Sequence, residues 1–275
     1  MTVEPGWVPP GIDTGKANIA RVYDYWLGGT NNFRADQDAA RAMIAIEPNI
    51  RAMARANRDF LGRAVRFLTT EAGIRQFIDI GSGIPTGRNV HEVAQETAPG
   101  SRVVYADVDD VAVAHSRLLL EDNGDTAVIQ ADLRDPDAIL TAPETQMLID
   151  FSQPAGLLLV SVLHFLDDHD DPWRVVAHLR DAMAPGSYLV LSHATGEAKP
   201  DVAAAANTVY MNKVAAHGDY RSRADILRFF DGFTLLDPGL VYLTQWRPDE
   251  PDETAGDPSN FWLLAGVGRR NDPPA

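Results

Sequence analysis

Three carboxylates stand at the ends of three apolar runs. Gln76-Phe77-Ile78-Asp79-Ile80 leads into Gly81-Ser82-Gly83, Arg102-Val103-Val104-Tyr105-Ala106 ends on Asp107, and Thr126 to Ala131 is followed directly by Asp132. Short apolar runs bounded by glycine, proline or an acid read as buried strands ending in turns. In a doubly wound sheet the carboxyl ends of such strands open on one crevice. An acid at the end of the second strand can accept hydrogen bonds from two neighbouring ribose hydroxyls, each worth about 1.5–3 kcal/mol. An acid after the third can accept from the exocyclic amine of an adenine, with the backbone N–H of Leu133 beside it.

The glycine turn narrows the choice of ligand. Glycine lets the chain turn sharply and lets a ligand approach the backbone, and the N–H groups of the following helix (apolar at Val90, Val93 and Ala94) favour electron-rich atoms. A dinucleotide fingerprint requires G-x-G-x-x-G, but Thr86 stands where the third glycine belongs. A P-loop is excluded, because no Gly-Lys-Ser/Thr follows. What remains is an acid two residues before G-x-G, the pattern of S-adenosylmethionine (SAM) methyltransferases. A glycine turn that only packs a helix on a strand stays open at this point, although three acids at three successive strand ends disfavour coincidence.

Further polar groups cluster where the next strands end. Ala155 to Val162 is a nearly continuous apolar run, as a central parallel strand requires, and it closes on Ser161, Leu163 and His164. Ser187 to Ser192 is a fifth strand leading into His193. Histidine titrates near neutrality, so His164 is the first candidate for a general base and His193 the second; a histidine that only packs is the competing role. Near the N-terminus, Tyr23, Tyr25 and Trp26 share one short segment ahead of Gly28-Gly29 and Thr30-Asn31-Asn32-Phe33. Trp26 reads as core. Tyr23 and Tyr25 read either as core or, with Asn31 and Asn32, as a lid.

The elements that must position these groups follow from periodicity. Helices are expected over Asn18–Leu27, Ala35–Ile46 and Asn49–Thr69, the last with Ile50, Met53, Ala54, Asn57, Phe60, Leu61, Ala64, Val65 and Leu68 on one face and its arginines mostly solvated. Further helices are expected over Val111–Glu121, Pro172–Met183, Val202–Val214 and Arg223–Phe230. Leu235–Gln245 and Asn260–Gly268 read as two strands without a helix between them, hence an antiparallel pair at the sheet edge. Residues 1–16, rich in Pro and Gly, read as an extended arm or, in preference, as a floppy terminus, and residues 247–259 as a solvated acidic loop. The division expected is an N-terminal arm and helical lid over 1–72 and a ligand-binding sheet domain over 73–275.

Composition removes several partner classes. The 275 residues carry a net charge of −15, which disfavours wrapping nucleic acid or lying on an anionic membrane. There is no cysteine, so no disulfide, thiolate metal site or thiol nucleophile, and a reducing cytoplasm fits. No signal peptide is evident, and the longest nearly apolar stretch, residues 155–163, is far short of the roughly 20 residues a membrane span needs.

The motifs together resemble the actinobacterial SAM-dependent methyltransferase family known as Methyltransf_19, formerly a domain of unknown function. The matching stretches are Ile19 to Gly29 with Asn31-Asn32-Phe33, Gln76 to Thr86, Val103 to Asp110, Gln130 to Pro136, Leu163-His164-Phe165 and Gly186 to His193. The Tyr-Asp-Tyr…Gly-Gly…Asn-Phe hairpin is specific to this group, and Pro85, where methyltransferases at large have another glycine, agrees with it. The resemblance implies an α/β fold, a Rossmann-like class I methyltransferase sheet with an antiparallel edge strand and an N-terminal helical extension. It implies SAM as cofactor and a small-molecule acceptor it does not identify. The cofactor set is then Asp79, Gly81, Ser82, Gly83, Asp107, Val108, Asp132, Leu133 and Ser161, with His164 the base and Tyr23, Tyr25, Asn31, Asn32 and His193 on the acceptor side; no metal is implied. A SAM-binding regulator without chemistry, or a nucleotide-linked oxidoreductase, are the alternatives.

Overall fold

The computed structural model describes residues 13–214, 216, 218–250 and 256–272. Most of the expected N-terminal arm and the middle of the acidic loop, residues 251–255, therefore lie outside the described residues. Three helices come first: α1 (Ile19–Leu27), α2 (Arg34–Ile46) and α3 (Ile50–Thr70). Then alternate β1 (Gln76–Ile80), α4 (Val90–Thr97), β2 (Arg102–Asp107), α5 (Asp110–Leu119), β3 (Thr126–Gln130), α6 (Pro136–Leu140), α7 (Pro143–Leu148), β4 (Gly156–Val160), α8 (Pro172–Ala182), β5 (Tyr188–Ala194), α9 (Pro200–Val209) and α10 (Arg223–Leu227). Three further strands close the fold: β6 (Phe233–Leu235), β7 (Val241–Tyr242) and β8 (Leu263–Arg270).

The strand order is β3-β2-β1-β4-β5-β8-β6, with β7 also on β8. Strands β1 to β5 are parallel, and β8 runs antiparallel to β5 over seven residue pairs from Tyr188–Arg269 to Ala194–Leu263. Order reverses between β1 and β4, which makes the crevice above their carboxyl ends the place for a ligand.

Two apolar layers cover the sheet, and the strands' two-residue period sorts side chains between them. Phe77, Val103, Leu158 and Val190 face one way and join Val22, Trp26, Phe60 and Leu61 of the N-terminal helices. Ile78, Val104, Leu157 and Leu189 face the other way and join Ile139, Val175, Val176 and Phe229. Helices α1 to α3 thus share a core with the sheet, each fully buried Phe or Leu contributing about 1.5–3 kcal/mol. Among the described residues no helix is long and apolar enough to cross a membrane.

Two expectations need correction. The strand over 235–245 breaks into β6, β7 and a 3-10 turn at Leu243–Gln245. Pro238-Gly239 interrupts it, and the carbonyls of Leu243 and Trp246 accept from the Arg63 guanidinium (2.8 and 3.1 Å) instead of a strand neighbour. The expected antiparallel edge is present: β6 and β7 both pair antiparallel with β8, which itself lies between β5 and β6. Arg63 is the second correction: it is buried, not on a solvated face.

Candidate functional site

A cavity of about 540 Å³ opens at the switch point. Asp79, Gly81, Ser82, Gly83, Asp107, Val108, Asp132, Leu133, Ser161, His164 and Tyr23 all line it, so the three strand-end acids share one space with the glycine turn. Gly81 (φ +72°) and Gly83 (φ +67°) both take the left-handed conformation that glycine alone adopts without strain. A Cβ on Gly81 would stand 2.5 Å from Val162 Cγ2, whereas one on Gly83 would meet nothing within 4 Å, so the second glycine keeps a volume clear. The helix N-terminus is not part of this cradle. Helix α4 starts only at Val90, and Glu92 accepts from the Asn89 N–H (2.7 Å) to cap it from within.

Each acid has its own electrostatics. Asp107 Oδ2 accepts from Gly83 N (2.7 Å) and Oδ1 from Asp109 N (2.9 Å). Burial raises its pKa, and those bonds oppose the rise. Each carboxylate oxygen keeps a further lone pair for a ligand hydroxyl. Asp79 is 4% exposed, and no hydrogen bond to its carboxylate is found among the described residues. Burial pushes it up to about 7, Arg58 opposing and Asp107 adding to the shift. Asp132 is partly exposed and bound by Arg134, whose Nε donates to both its oxygens at 3.0 Å, holding its carboxyl below the usual range. Val108 between them is 59% exposed, an apolar face against which a flat ring can lie.

Ser161 ends a directed chain of hydrogen bonds. Its φ is +58°, and its N–H donates to Ser192 O (3.0 Å). Tyr23 Oη donates to Ala54 O (3.0 Å) and accepts from Asn57 Nδ2 (3.0 Å), while Ser192 Oγ donates to Asn57 Oδ1 (2.6 Å). A carbonyl only accepts and each hydroxyl has one proton. The 3.3 Å contact between Ser161 and Ser192 is therefore donated by Ser161, whose remaining lone pairs are free to accept. Tyr23 is thus both a cavity wall and a fixed member of the core.

His164 lies in a short turn, Leu163–Phe165, directly after β4. It is buried, its Nδ1 has no hydrogen-bond partner among the described residues, and burial with the nearby Arg221 guanidinium brings its pKa down to about 3. His193 does not line the cavity. It is fully buried with Nδ1 against Ala194 O (2.7 Å) and Nε2 against Arg221 Nη1 (3.2 Å), which fixes a neutral tautomer with the proton on Nδ1. Burial, with His164 and Arg221 beside it, takes its pKa well below the usual value, and Ala194 and Arg221 occupy both ring nitrogens, so the structure does not bring this expected second base to the cavity.

Three hairpin residues also fall away from the cavity. Asn31 N and Asn32 Nδ2 donate to Asp24 Oδ2 (2.9 and 2.7 Å), so the Asn31 backbone and the Asn32 side chain hold the turn, and neither residue lines the cavity. Tyr25 lies between the guanidinium groups of Arg41 and Arg51 (5.5 and 5.2 Å from its ring centre), turned outward by the helix period. Asp24 is the hub the sequence did not single out; Gly29 sits so close to it that a Cβ there would overlap its carboxylate.

Sequence reasoning also missed Arg58, Asn57, Arg134 and Arg221. Arg58 and Asn57 occur on adjacent positions of α3 and both line the cavity; an amide on an otherwise apolar helix face was the available signal. Arg221 donates to Leu163 O (3.0 Å), Leu166 O (2.8 Å) and Asp168 (2.9 Å), and so clamps the turn that carries His164. A lone arginine in a polar stretch gives no such warning.

Comparison with known proteins settles the family. The family model described as S-adenosyl methyltransferase matches residues 5–271. This chain belongs to that family. A candidate methyltransferase from Thermobifida fusca YX is 44% identical, with a TM-score of 0.91 over 98% of this chain and 100% of its own. A DUF574 family protein from Streptomyces avermitilis is 39% identical, with a TM-score of 0.90 over 94% of this chain and 99% of its own. The N-methyltransferase NodS from Bradyrhizobium japonicum, solved with S-adenosyl-L-homocysteine (SAH), is 14% identical with a TM-score of 0.50 over 86% of this chain and 98% of its own, a likeness of fold alone. No curated protein matches. SAM is the cofactor of the family, and nothing in these comparisons supports a nucleotide-linked oxidoreductase.

Proposed function

We propose that this protein transfers the methyl group of SAM to a small-molecule acceptor held in the same cavity. The observation that carries the reading is the meeting of Asp79, Asp107 and Asp132 with Gly81–Gly83 around one space at the switch point. The donor set fits the cofactor: acceptor oxygens for hydroxyls and amines, a cleared volume at Gly83, and no lysine along the cavity wall among the described residues. When bound, SAM would supply an electrophilic methyl on a sulfonium, which would leave for an acceptor lone pair as the S–C electron pair returned to sulfur and the acceptor gave up a proton.

The chain's own residues then have separable tasks. Asp107 accepts from the ribose hydroxyls. Asp132, sharing its charge with Arg134, and the Leu133 N–H take the adenine edge. Asp79 and the acceptor lone pairs of Ser161 take the ammonium of the methionine part. Helices α1 and α3 roof the cavity through Tyr23 and Asn57 and exclude water. Holding acceptor and methyl in line lowers the barrier by about 7–11 kcal/mol. His164 receives the departing proton. An imidazole with a pKa near 3 is a weak base, yet a weak base suffices, because a hydroxyl that has gained a methyl is itself strongly acidic.

Calorimetry tests the assignment. SAM and SAH should both bind the wild type in the micromolar range, and Asp107→Asn should weaken both by roughly tenfold or more, the loss of one charged hydrogen bond. Absence of binding to the wild type would defeat the reading.

A further inference from the structure

The switch point divides the cavity into two unlike walls. Its charged members gather on one side: Arg58 with Asp79 and Asp107, and Asp132, Asp167 and Asp170 around Arg134. The other wall comes from β5, the start of β8, the N-terminal helices and the turns flanking residues 210–220. Among the described residues it carries Trp26, Met53, Phe165, Tyr210, Tyr220 and Trp262, and the charged side chain its elements bring to the cavity is Arg58 of α3, which acts on Asp79. Two edge-to-face aromatic pairs stand in it, Phe165–Tyr210 (5.5 Å between ring centres) and Tyr220–Trp262 (5.2 Å).

Polar atoms in this wall are few and unequal. Tyr23 spends its one donor, and Asn57 one of its two amide N–H groups and its carbonyl oxygen, within the chain that ends at Ser161. Trp262 Nε1, which can only donate, and the Tyr220 hydroxyl are buried without a hydrogen-bond partner among the described residues. Leaving a donor unpaired in an apolar surrounding costs free energy, which a ligand oxygen can restore. Away from Arg58, whose charge is opposed by Asp79, a charged ligand would meet no counter-ion there, and an unpaired charge in such a place is far more costly than a neutral ring.

We propose that this wall selects an uncharged aromatic compound bearing a phenolic hydroxyl or ring carbonyl as the methyl acceptor. The proposal rests on the methyl-transfer reading above. The ring lies among the aromatic pairs, and its oxygen accepts from Tyr220 and Trp262. A carboxylate or ammonium in place of that oxygen is rejected by the lack of a partner, which sets specificity without any repulsive residue.

The test uses protein saturated with SAH and three probes at pH 7: 2-naphthol, 2-naphthoate and naphthalene. Calorimetry should show 2-naphthol binding at least tenfold more tightly than 2-naphthoate. Tyr220→Phe keeps the ring and removes one oxygen, with thermal denaturation checking the fold. It should weaken 2-naphthol about three- to tenfold and leave naphthalene unchanged. Equal or tighter binding of 2-naphthoate, or no binding of 2-naphthol to protein that holds SAH, would overturn the proposal. Failure of SAH itself to bind would sink the reading beneath it, and is seen in the first titration before any probe is added.

Discussion

Asp79 offers the sharpest quantitative test of the cofactor site. Its carboxyl is buried, and burial brings its pKa from the ordinary 3.8 to about 7 in the protein without ligand. The group is therefore protonated below pH 7 and must ionise to meet a ligand cation. If the cation returns it to a pKa near 5, binding releases a proton between those values, and affinity falls about tenfold by pH 6 and about fiftyfold by pH 5 relative to pH 8. Asp79→Asn mimics the protonated acid, so it should bind roughly a hundredfold more weakly at pH 8 and differ little from wild type at pH 5. The ligand's own groups titrate equally in both proteins, so the ratio of the two affinities isolates Asp79. Arg58 and Asp107, the charged groups facing it, remain in both. Stability moves the opposite way. A folded pKa above the unfolded one means that stability is lost as pH rises from about 4 to about 7, so the unliganded Asn variant should melt higher than wild type at pH 8 and by less than half as much at pH 5. Calorimetric titrations at pH 5, 6, 7 and 8 supply the data. A constant ratio of wild-type to variant affinity across that range would refute the argument.

Two further perturbations probe the turn and the base. Gly81→Ala and Gly83→Ala share a backbone cost of about 1–2 kcal/mol for a left-handed residue, but only the first collides with Val162. Gly81→Ala should lower the melting temperature more, whereas Gly83→Ala should lose SAH affinity with little further loss of stability; unchanged SAH affinity in Gly83→Ala would remove that face from the cradle. For His164, a pKa near 3 means that the rate at saturating cofactor and acceptor shows no imidazole step between pH 5.5 and 8, while His164→Gln slows turnover without changing SAH affinity. A step near 6.5 that disappears in His164→Gln would show a solvated imidazole and contradict its burial.

The parallel half of the fold was legible because its strands are buried on both faces and their acids stand at fixed ends. β2 runs over Arg102–Asp107 as its apolar run predicts, and β1 ends where the glycines begin. What stayed hidden is chain whose backbone is satisfied by side chains. Residues 243–246 carry apolar, strand-like residues, yet Arg63, 180 positions away for Leu243, takes their carbonyls. The short helices α6 and α7 each open on a proline at the first turn, a signal that was present but unread. The helix over 202–214 begins two residues earlier and changes to a π-turn at Tyr210, which puts Tyr210 on the cavity wall.

The site divides along the same line. Acids and glycines announce themselves, because packing alone has little use for a carboxylate at the end of an apolar strand. Groups that only orient them do not. Asn32 and His193 have residue types suited to chemistry, but a neighbour each could not reveal, Asp24 or Arg221, consumes their hydrogen-bonding capacity. Conversely Asn57 looked like a packing residue on a helix face, and it is the link that gives the chain from Tyr23 to Ser161 its direction. Reversing that amide would let Ser192 donate to Ser161 and turn an acceptor toward the cavity into a donor. Selectivity for a cationic group at Ser161 thus depends on a proton held by Tyr23, two helices away from the strand that carries the acid.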